Sequence, residues 1–385
     1  MRILHITATY YPATRYGGPI RSVHGLCGAL AAAGHEVEVY TTNVDGAGIS
    51  DVPVSTPVEM GGVSVTYFPA VTLGQRFYYS RLMGTALRAH IKKFDVVHTH
   101  AQFVWPSYEA GRVARLHDVP LVHAPRGMID RTLVQQKSGF LKRAWIYGLD
   151  RANLEGAAAL HVTSEIEKAE IEAFGLAIHR YVIIPNGVDD IEGPVQHAAQ
   201  GGSGNAPVIL FLGRISWKKG IDRLIEALTY VPAAELVIAG NDEEGYRGVL
   251  DGIVARLGLA DRVRFVGEVS GSEKRALFAS ASVFALPSQS ENFGVAVIEA
   301  MQAGCPVVVT PEVGLADMVA RTHSGIVCAG GPEVLGAGIA GVLTDREELA
   351  RMSANAVAAV RRDYLWPRIA DQMLRTYAEL SAGAQ

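Results

Sequence analysis

Two glutamates, Glu291 and Glu299, stand on either side of a position where a loop is predicted to enter a helix. The apolar run Val283–Leu286 predicts a strand, the residues after it a loop, and Val295 the start of a helix that carries Glu299. A carboxylate accepts two hydrogen bonds at once, which suits a ribose diol or the hydroxyls of a sugar ring. Free N–H groups at a helix start attract anions, and Gly294 would let a phosphate approach the backbone.

The same residues also have a purely structural interpretation. A glutamate near a helix start is stabilised by the helix dipole, and one further along the helix can be solvated. Apolar residues stand on both sides of Glu299, so its helix is predicted to be mostly buried. A carboxylate in such a place needs a partner, and the pattern therefore favours a functional pair.

A second motif, Gly213-Arg214 followed by Lys219, comes directly after the predicted strand Val208–Leu212. A glycine after a strand lets the backbone approach a ligand, and two cations on flexible stems suit a diphosphate. A charge-assisted hydrogen bond contributes roughly 1.5–3 kcal/mol, so two of them could hold a leaving diphosphate. The alternative is a basic turn on the surface, and the motif alone does not decide between the two.

A third motif, Tyr16-Gly17-Gly18, lies between the first predicted strand and a helix, where a ligand could approach the loop. It is weak by itself, because Gly-Gly-Pro is also an ordinary turn. The sequence has no complete dinucleotide fingerprint, no Walker A motif and no Asp-x-Asp pair. Without that carboxylate cradle, we expect neither a metal nor another cofactor.

A metal site is also suggested by His98-Thr99-His100. Two histidines at a strand end, without a third ligand nearby, are interpreted as structural.

These motifs need a scaffold, and short apolar runs alternate with helical stretches through both halves of the chain. In the first half the predicted strands are Ile3–Thr7, Val37–Thr41, Val63–Phe68, Val96–Thr99, Leu121–Ala124, Ala159–Thr163 and Val182–Ile184. In the second half they are Val208–Leu212, Glu235–Ala239, Val263–Val266, Val283–Leu286 and Val307–Thr310. Continuous apolar strands that alternate with helices predict an α/β fold with two doubly wound, Rossmann-like parallel sheets.

The domain organisation follows from a break in this alternation. Residues 191–207, rich in Gly, Ala and Gln, predict a linker. It would join an N-terminal domain, 1–190, to a C-terminal domain, 208–362, with residues 363–385 as a helix that returns toward the first domain. Ligands in such sheets bind beyond the carboxyl ends of the strands, so we expect a cleft with one ligand from each side.

Composition limits the class of protein. The chain has 385 residues, of which 49% are hydrophobic and 19% charged, and a net charge of -4, so no basic field marks a nucleic-acid binder. Three widely spaced cysteines suggest neither a disulfide framework nor a metal site. The first apolar run is too short for a signal peptide, and no run reaches the roughly 18 residues of a membrane span. We therefore expect a cytoplasmic protein.

Two basic-aromatic stretches, Arg76–Arg81 with Lys92-Lys93 and Lys137–Arg151, suggest contact with an anionic membrane. Solvated faces over a core are the alternative. Membrane contact would place the protein on the inner face of the cytoplasmic membrane and would suit a lipid-linked acceptor.

Taken together, these motifs resemble family 4 of the retaining glycosyltransferases, which have two Rossmann domains in the arrangement called GT-B. The resemblance rests on the Gly17-Gly18 loop, Pro185-Asn186-Gly187-Val188-Asp189, Gly213-Arg214 with Lys219-Gly220, and the pair Glu291 and Glu299. It covers nearly the whole chain, including a returning helix near Tyr364-Leu365-Trp366. The implied activity is transfer of a hexose from a nucleoside-diphosphate sugar to a glycan or lipid-linked acceptor, in surface polysaccharide synthesis.

The resemblance also implies roles for individual residues. Arg214 and Lys219 would neutralise the departing diphosphate, Glu291 would contact the transferred sugar, and Glu299 would hold the ribose. The donor would also be bound by Gly213, Asn292, Phe293, Gly294, Val295, Gly17 and Gly18. Family members retain the anomeric configuration, an outcome ascribed to same-face attack in which the leaving phosphate helps to remove the acceptor proton.

One position departs from the family pattern. Many members have a histidine after the fifth strand, where this chain reads His123-Ala124-Pro125-Arg126 and the register puts Arg126 in that place. Arginine is not a base at neutral pH, but it can donate to a sugar hydroxyl or a phosphate. Either Arg126 replaces the histidine, or His123 reaches the site, or the role is dispensable. We predict a catalytic role for Arg126, with a structural salt bridge as the alternative. His123, His100 and Tyr16 are candidates on the acceptor side.

Two other functions fit the same elements. One is an epimerase or phosphorylase on the same fold, and an epimerase would act on a nucleotide sugar without an acceptor. The other is a non-catalytic subunit that binds a nucleotide sugar, which only the departure at Arg126 suggests.

Overall fold

The computed structural model describes residues 1–13, 18–46, 48–71, 77–130, 139–191, 206–242 and 244–383. The chain forms two compact units, of which the first combines Met1–Asp189 with Trp366–Gln385 and the second is Asp190–Leu365. The C-terminal residues from Trp366 onward thus fold with the first unit. Most of the predicted linker, residues 192–205, lies outside the described residues.

The first unit is built on an eight-stranded sheet in the order β10-β9-β8-β7-β1-β2-β6-β5. Its strands are β1 Arg2–Ile6, β2 Glu36–Thr42, β5 Pro57–Met60, β6 Val63–Phe68, β7 Val96–His100, β8 Leu121–Ala124, β9 Ala159–Val162 and β10 Tyr181–Ile183. A small separate hairpin pairs β3 Val44–Asp45 with β4 Gly48–Ile49. The helices are α1 Gly18–Ala32, α2 Arg81–His90, α3 Trp105–Leu116, α4 Gly139–Ala144, α5 Arg151–Glu155 and α6 Glu165–Glu172, with a π-helical turn at Trp145–Asp150 and a 3-10 turn at Ile91–Lys93.

The second unit has a six-stranded, wholly parallel sheet in the order β13-β12-β11-β14-β15-β16. Its strands are β11 Val208–Leu212, β12 Glu235–Ala239, β13 Val263–Gly267, β14 Val283–Leu286, β15 Val307–Val309 and β16 Gly325–Val327. Its helices are α7 Ile221–Ala227, α8 Arg247–Arg256, α9 Gly271–Ser280, α10 Val295–Gln302, α11 Ala316–Thr322, α12 Pro332–Thr344 and α13 Arg346–Asp363, with 3-10 turns at Trp217–Lys219 and Leu228–Tyr230.

The last helix, α14 Trp366–Ala382, packs in the core of the first unit. Ile369, Met373 and Tyr377 recur at helical spacing and are buried, so they form the apolar face of the helix. The Trp366 N–H also donates to the Val188 carbonyl at 3.1 Å. The helix is therefore held by its apolar face and by a backbone bond at its start.

The prediction of an α/β fold with two Rossmann-like sheets is confirmed. Central strands such as Val283–Leu286 are buried at every residue, as continuous apolar runs predict for strands covered on both faces. Sequence reasoning missed the edge strands β5 and β16. β5 alternates between exposed and half-buried residues and has no continuous apolar run, whereas β16 is apolar but only three residues long and half-buried.

In the part of the chain that the structure describes, no helix combines the length and the apolarity needed to cross a membrane.

Candidate functional site

In the second unit, the site is built on two neighbouring strands. β11 and β14 pair in parallel, so the loops that follow them leave the sheet at the same edge. The loop after β11 carries Arg214 and Lys219, and the loop after β14 carries Glu291. Residues separated by more than seventy positions are thus brought to one place by strand order, as the switch point of a doubly wound sheet does.

The two loops are joined backbone to backbone. The Gln289 N–H donates to the Lys218 carbonyl at 2.7 Å. Gly220 has a left-handed φ of 64°, and a Cβ there would lie only 2.0 Å from the Pro287 carbonyl oxygen. No residue other than glycine fits this approach without a shift of the chain. This close approach packs the 3-10 turn that ends at Lys219 against the loop that follows β14.

This contact forms an ion pair between Lys219 and Glu291. The ammonium Nζ donates to Oε2 of the carboxylate, and the two side chains are only 20% and 19% exposed. The backbone of Glu291 is also fixed, because its N–H donates to the Glu312 carbonyl at 3.1 Å and its carbonyl accepts from Gly314 at 2.7 Å. The charged pair is therefore held rigidly at the sheet edge.

Gly294 ends the second loop and caps α10. Its φ of 94° lies in the left-handed region, which favours glycine, and it is buried. Phe293 beside it is 4% exposed, and its ring centroid lies 6.4 Å from that of Tyr364. Phe293 thus packs into the unit, while Asn292 and Val295 on either side of this glycine turn stay partly exposed.

Glu299, further along α10, has a partner that sequence reasoning missed. Lys274 of α9 donates from Nζ to Oε1 of Glu299 at 2.6 Å, and the side chains are 16% and 22% exposed. The apolar neighbours of Glu299 indicated that a partner was needed. The identity of that partner depends on how α9 packs beside α10, for which the sequence carries no signal.

The remaining residues predicted in this unit lie at the same edge. Arg214 is exposed, and Gly213 before it donates its N–H to the Ala239 carbonyl at 3.0 Å. Ile215 in turn donates to the Asn241 carbonyl at 2.8 Å, which joins the loop after β11 to the loop after β12. The unit therefore carries Arg214, Lys219 and Glu291 on loops that are fixed by backbone bonds, and the Lys274–Glu299 pair on α9 and α10.

In the first unit, Arg126 is partly exposed and follows β8. Its Nη1 donates to Oδ1 of Asn186 at 2.8 Å and its Nη2 donates to Nδ1 of His100 at 3.2 Å. Desolvation lowers the pKa of the Arg126 guanidinium. Among the described residues no carboxylate lies within salt-bridge distance of it, so the predicted alternative of a structural salt bridge is not seen. Its Nε is buried and has no hydrogen-bond partner in the part of the chain that the structure describes.

The acceptor-side candidates His123 and His100 are both buried, at 7% and 1% exposure. His123 donates from Nε2 to Oε1 of Gln102 at 2.8 Å, so its Nδ1 accepts from the Thr99 hydroxyl at 2.7 Å. Burial lowers the pKa of His123 to about 4. Gln102 in turn donates to Asp150, whose pKa is raised by burial to about 6. In this structure both histidines contact other side chains, and a contact with an acceptor stays a prediction.

The Gly-Gly motif is only partly covered. Tyr16 and Gly17 lie outside the described residues, whereas Gly18 begins α1 and is exposed.

The interpretation that His98 and His100 lack a third partner was wrong. His5 of β1 lies beside them, and one nitrogen from each ring lies within 4.8 Å of the others. β1 and β7 are adjacent parallel strands, with His5 in register with His98. Sequence reasoning did not pair the two strands, so it could not see this cluster.

Hydrogen bonds fix the tautomers of this cluster. Because Arg126 only donates, His100 accepts at Nδ1 and donates from Nε2 to Nδ1 of His5 at 2.9 Å. Because the Ile184 carbonyl only accepts, His161 donates from Nε2, and its Nδ1 accepts a hydrogen bond from the Nε2–H of His98 at 3.3 Å. A metal would need lone pairs that these bonds already use, and the geometry favours a hydrogen-bond network around Arg126.

Two family models match the chain. The model described as "Glycosyl transferase 4-like domain" matches residues 17–187, and the model described as "Glycosyl transferases group 1" matches residues 194–358. The first match lies within the first unit and the second within the second unit.

Similar proteins agree with these models. The glycogen synthase of Mycobacterium tuberculosis is 30% identical over 407 residues, with 100% of this chain and 96% of the relative covered. The solved sucrose-phosphate synthase of Thermosynechococcus elongatus aligns with a TM-score of 0.78 at 24% identity, covering 99% of each chain. Anabaena HepE, solved in complex with UDP-glucose, aligns with a TM-score of 0.71 at 20% identity, covering 98% of this chain and 100% of that one. The chain belongs to the group 1, family 4-like glycosyltransferases with the GT-B type of fold.

Proposed function

We propose that this protein moves a hexose from a nucleoside-diphosphate sugar to a glycan or lipid-linked acceptor with retention of the anomeric configuration, in the synthesis of exopolysaccharide, capsule or lipopolysaccharide. The observation that carries the proposal is the Lys219–Glu291 ion pair where β11 and β14 end, with Arg214 in the same loop as Lys219. This edge combines cations for a diphosphate with carboxylates for hydroxyl groups.

Departure of the diphosphate is the step that the second unit would assist. Negative charge grows on the leaving phosphate, and preorganised cations stabilise such charge strongly. Arg214 and Lys219 would supply these cations, and the backbone amides of Phe293 and Gly294 would add hydrogen bonds. Glu291, held by Lys219, would accept from hydroxyls of the transferred sugar.

Recognition of the nucleoside would depend on Glu299, whose carboxylate can accept from both ribose hydroxyls. We propose UDP as the first donor nucleotide to test, because HepE, which shares the fold, was solved with UDP-glucose. Gly240-Asn241 follows β12, Gly267-Glu268-Val269 begins at the last residue of the neighbouring β13, and the Gly240 N–H donates to the Gly267 carbonyl at 2.7 Å. These loops would contact the base.

The first unit would bind the acceptor. Arg126 has donors that no described residue uses, and these could hold a hydroxyl or a phosphate of the substrates. Because arginine cannot accept the acceptor's proton at neutral pH, the leaving phosphate would take it, as in the same-face attack ascribed to the family. Neither a metal nor another cofactor would take part.

A membrane surface is proposed as a peripheral partner of the first unit. Phe140 and Leu141 of α4 are 85% and 68% exposed, and the half-buried Lys142 and the exposed Arg143 follow them. Apolar side chains next to cations suit an anionic lipid surface. Such contact, on the inner face of the cytoplasmic membrane, would bring the enzyme to a lipid-linked acceptor. Arg76 and Lys137 of the two predicted basic stretches lie outside the described residues.

The test is transfer from a panel of UDP-, GDP- and ADP-hexoses to isolated lipid-linked glycans, with the product anomer assigned by NMR. We expect transfer with retention from one nucleotide. An inverted product would contradict the retaining mechanism. Conversion of the nucleotide sugar without any acceptor would favour the epimerase, and donor binding without transfer to any acceptor would favour the non-catalytic subunit.

A further inference from the structure

Lys274 lies in the second turn of α9 and reaches the carboxylate of Glu299 on α10. In the sequence, α9 comes directly before β14 and α10 is the next helix after it, so the contact joins two successive helices. Nζ and Oε1 are 2.6 Å apart, and about four-fifths of each side chain is buried. A surface ion pair contributes little, but at this burial a single unpaired charge would be costly.

The pair leaves Glu299 with two different oxygens. Oε1 accepts from Lys274, whereas Oε2 accepts from no residue that the structure describes. A carboxylate held at one oxygen cannot rotate freely about its last bond, so the direction of Oε2 is fixed. A ligand with a pair of hydroxyls would then meet an acceptor that is already oriented, which reduces the entropy lost on binding.

The pair also balances charge around the predicted diphosphate position. Glu291 has Lys219 as its partner and Glu299 has Lys274, so each carboxylate is paired with its own cation. Without Lys274, Glu299 would add an uncompensated negative charge to a site that is proposed to bind a diphosphate. Like charges at short range in a partly buried site repel strongly.

We infer that Lys274 is a positioning residue that orients Glu299 toward the ribose hydroxyls and offsets its charge, and so sets the preference of the site for ribonucleotides. This rests on the proposed function, in which Glu299 binds the ribose. Lys274 itself touches Glu299, not the nucleotide. A purely structural link between α9 and α10 is the competing explanation, and the two make different predictions.

The test measures discrimination between ribose and deoxyribose by calorimetry on the full chain. The probes are whichever of UDP, GDP and ADP binds most tightly, and its 2′-deoxy analogue. The variants are Lys274→Met, which keeps the apolar stem, Lys274→Arg, which keeps a cation, and Glu299→Ala. Lys168→Met is the matched control, since Lys168 pairs with Glu165 and Glu172 on α6 of the first unit.

For the unaltered protein and Lys168→Met we expect the 2′-deoxy analogue to bind about tenfold more weakly, the loss expected for one hydrogen bond to a charged group. For Lys274→Met we expect weaker binding of the ribonucleotide and discrimination of about twofold or less, close to that of Glu299→Ala. Lys274→Arg should restore most of the preference. A structural link would lower thermal stability without changing the ratio of the two affinities.

Two outcomes would overturn the inference, and they differ from each other. If Lys274→Met keeps the full preference for ribose while Glu299→Ala loses it, Lys274 does not position the carboxylate, although the proposed function stands. If the unaltered protein binds no nucleoside diphosphate, or binds both analogues equally, the ribose role of Glu299 fails and the inference fails with it.

Discussion

The carboxylate of Glu167 accepts a hydrogen bond from the backbone N–H of Gly127 at 2.6 Å, and so ties α6 to the loop that carries Arg126. The same carboxylate accepts from the N–H and the hydroxyl of Thr163, each at 2.8 Å, and the Glu167 side chain is buried. Arg126 itself has a left-handed φ of 55°. The buried Glu167 carboxylate, with its three donors, therefore fixes the backbone at Gly127. Gly127 directly follows Arg126, whose backbone conformation is uncommon for a residue other than glycine.

Glu167→Gln is expected to lower the free energy of unfolding by about 1–3 kcal/mol, because a buried amide cannot accept from all three donors. Urea unfolding measures this loss. The control is Glu165→Gln on the same helix, where the side chain is 72% exposed and the change should be small. Equal stability of the two variants would contradict the supporting role of Glu167.

Arg214→Ala and Lys219→Ala are each expected to slow transfer by about a hundredfold or more, because each removes a cation from the departing diphosphate. Initial rates at saturating donor measure the effect. Arg256→Ala serves as control, since Arg256 pairs with Glu226 on the exposed surface of the same unit. Full activity in either site variant would refute the diphosphate assignment.

Arg126→Met is expected to reduce transfer by about tenfold or more while the affinity for the nucleoside diphosphate stays within about twofold, because the nucleotide would be bound by the second unit. Arg126→Lys should recover only part of the rate, since lysine lacks the planar fork that reaches Asn186 and His100. Separate measurements of rate and nucleotide binding are needed. Unchanged transfer in Arg126→Met would rule out a catalytic role.

Stability is expected to fall as the pH is lowered from about 7 to about 5, because several histidines are buried in the neutral form. Burial lowers the pKa of His5 and His161 to about 3 and that of His123 to about 4. Between these values and the unfolded pKa of about 6.5, only the unfolded chain binds the protons, so folding loses about 2 kcal/mol for each histidine near pH 5.

Asp150 acts in the opposite direction. Burial raises the pKa of Asp150 to about 6 in the folded protein. Its contribution to stability is therefore fully present when the pH is below the pKa of Asp150 in the unfolded chain, and it is lost as the pH rises through about 6. One such group does not offset three histidines. Urea unfolding at several pH values measures the slope, and His123→Gln should make it shallower. A flat profile between about pH 5 and 7 would contradict the neutral histidine network.

Transfer activity is expected to survive a chelator such as EDTA, because Arg214 and Lys219 would take the part that a divalent ion plays elsewhere. The assay compares rates before and after extensive dialysis against the chelator. Loss of activity that Mg²⁺ or Mn²⁺ restores would overturn the metal-independent mechanism.

Much of the fold could be predicted from local sequence. Buried parallel strands need apolar side chains on both faces, and runs such as Val283–Leu286 show this directly. The edge strand Gly325–Val327 was not predicted in the same way, because three apolar residues are too short a run to indicate a strand. For the site, the positions of Arg214 and Glu291 after strands were enough to suggest a ligand.

What the sequence by itself determined is the type of each group and the end of the strand at which it stands, because periodicity and loop residues are local properties. Only the tertiary structure decided the partners. Lys219 meets Glu291, Lys274 meets Glu299, and His5 joins His98 and His100 because strand order and helix packing bring distant residues together. Such contacts depend on the whole sheet, and no local pattern encodes them.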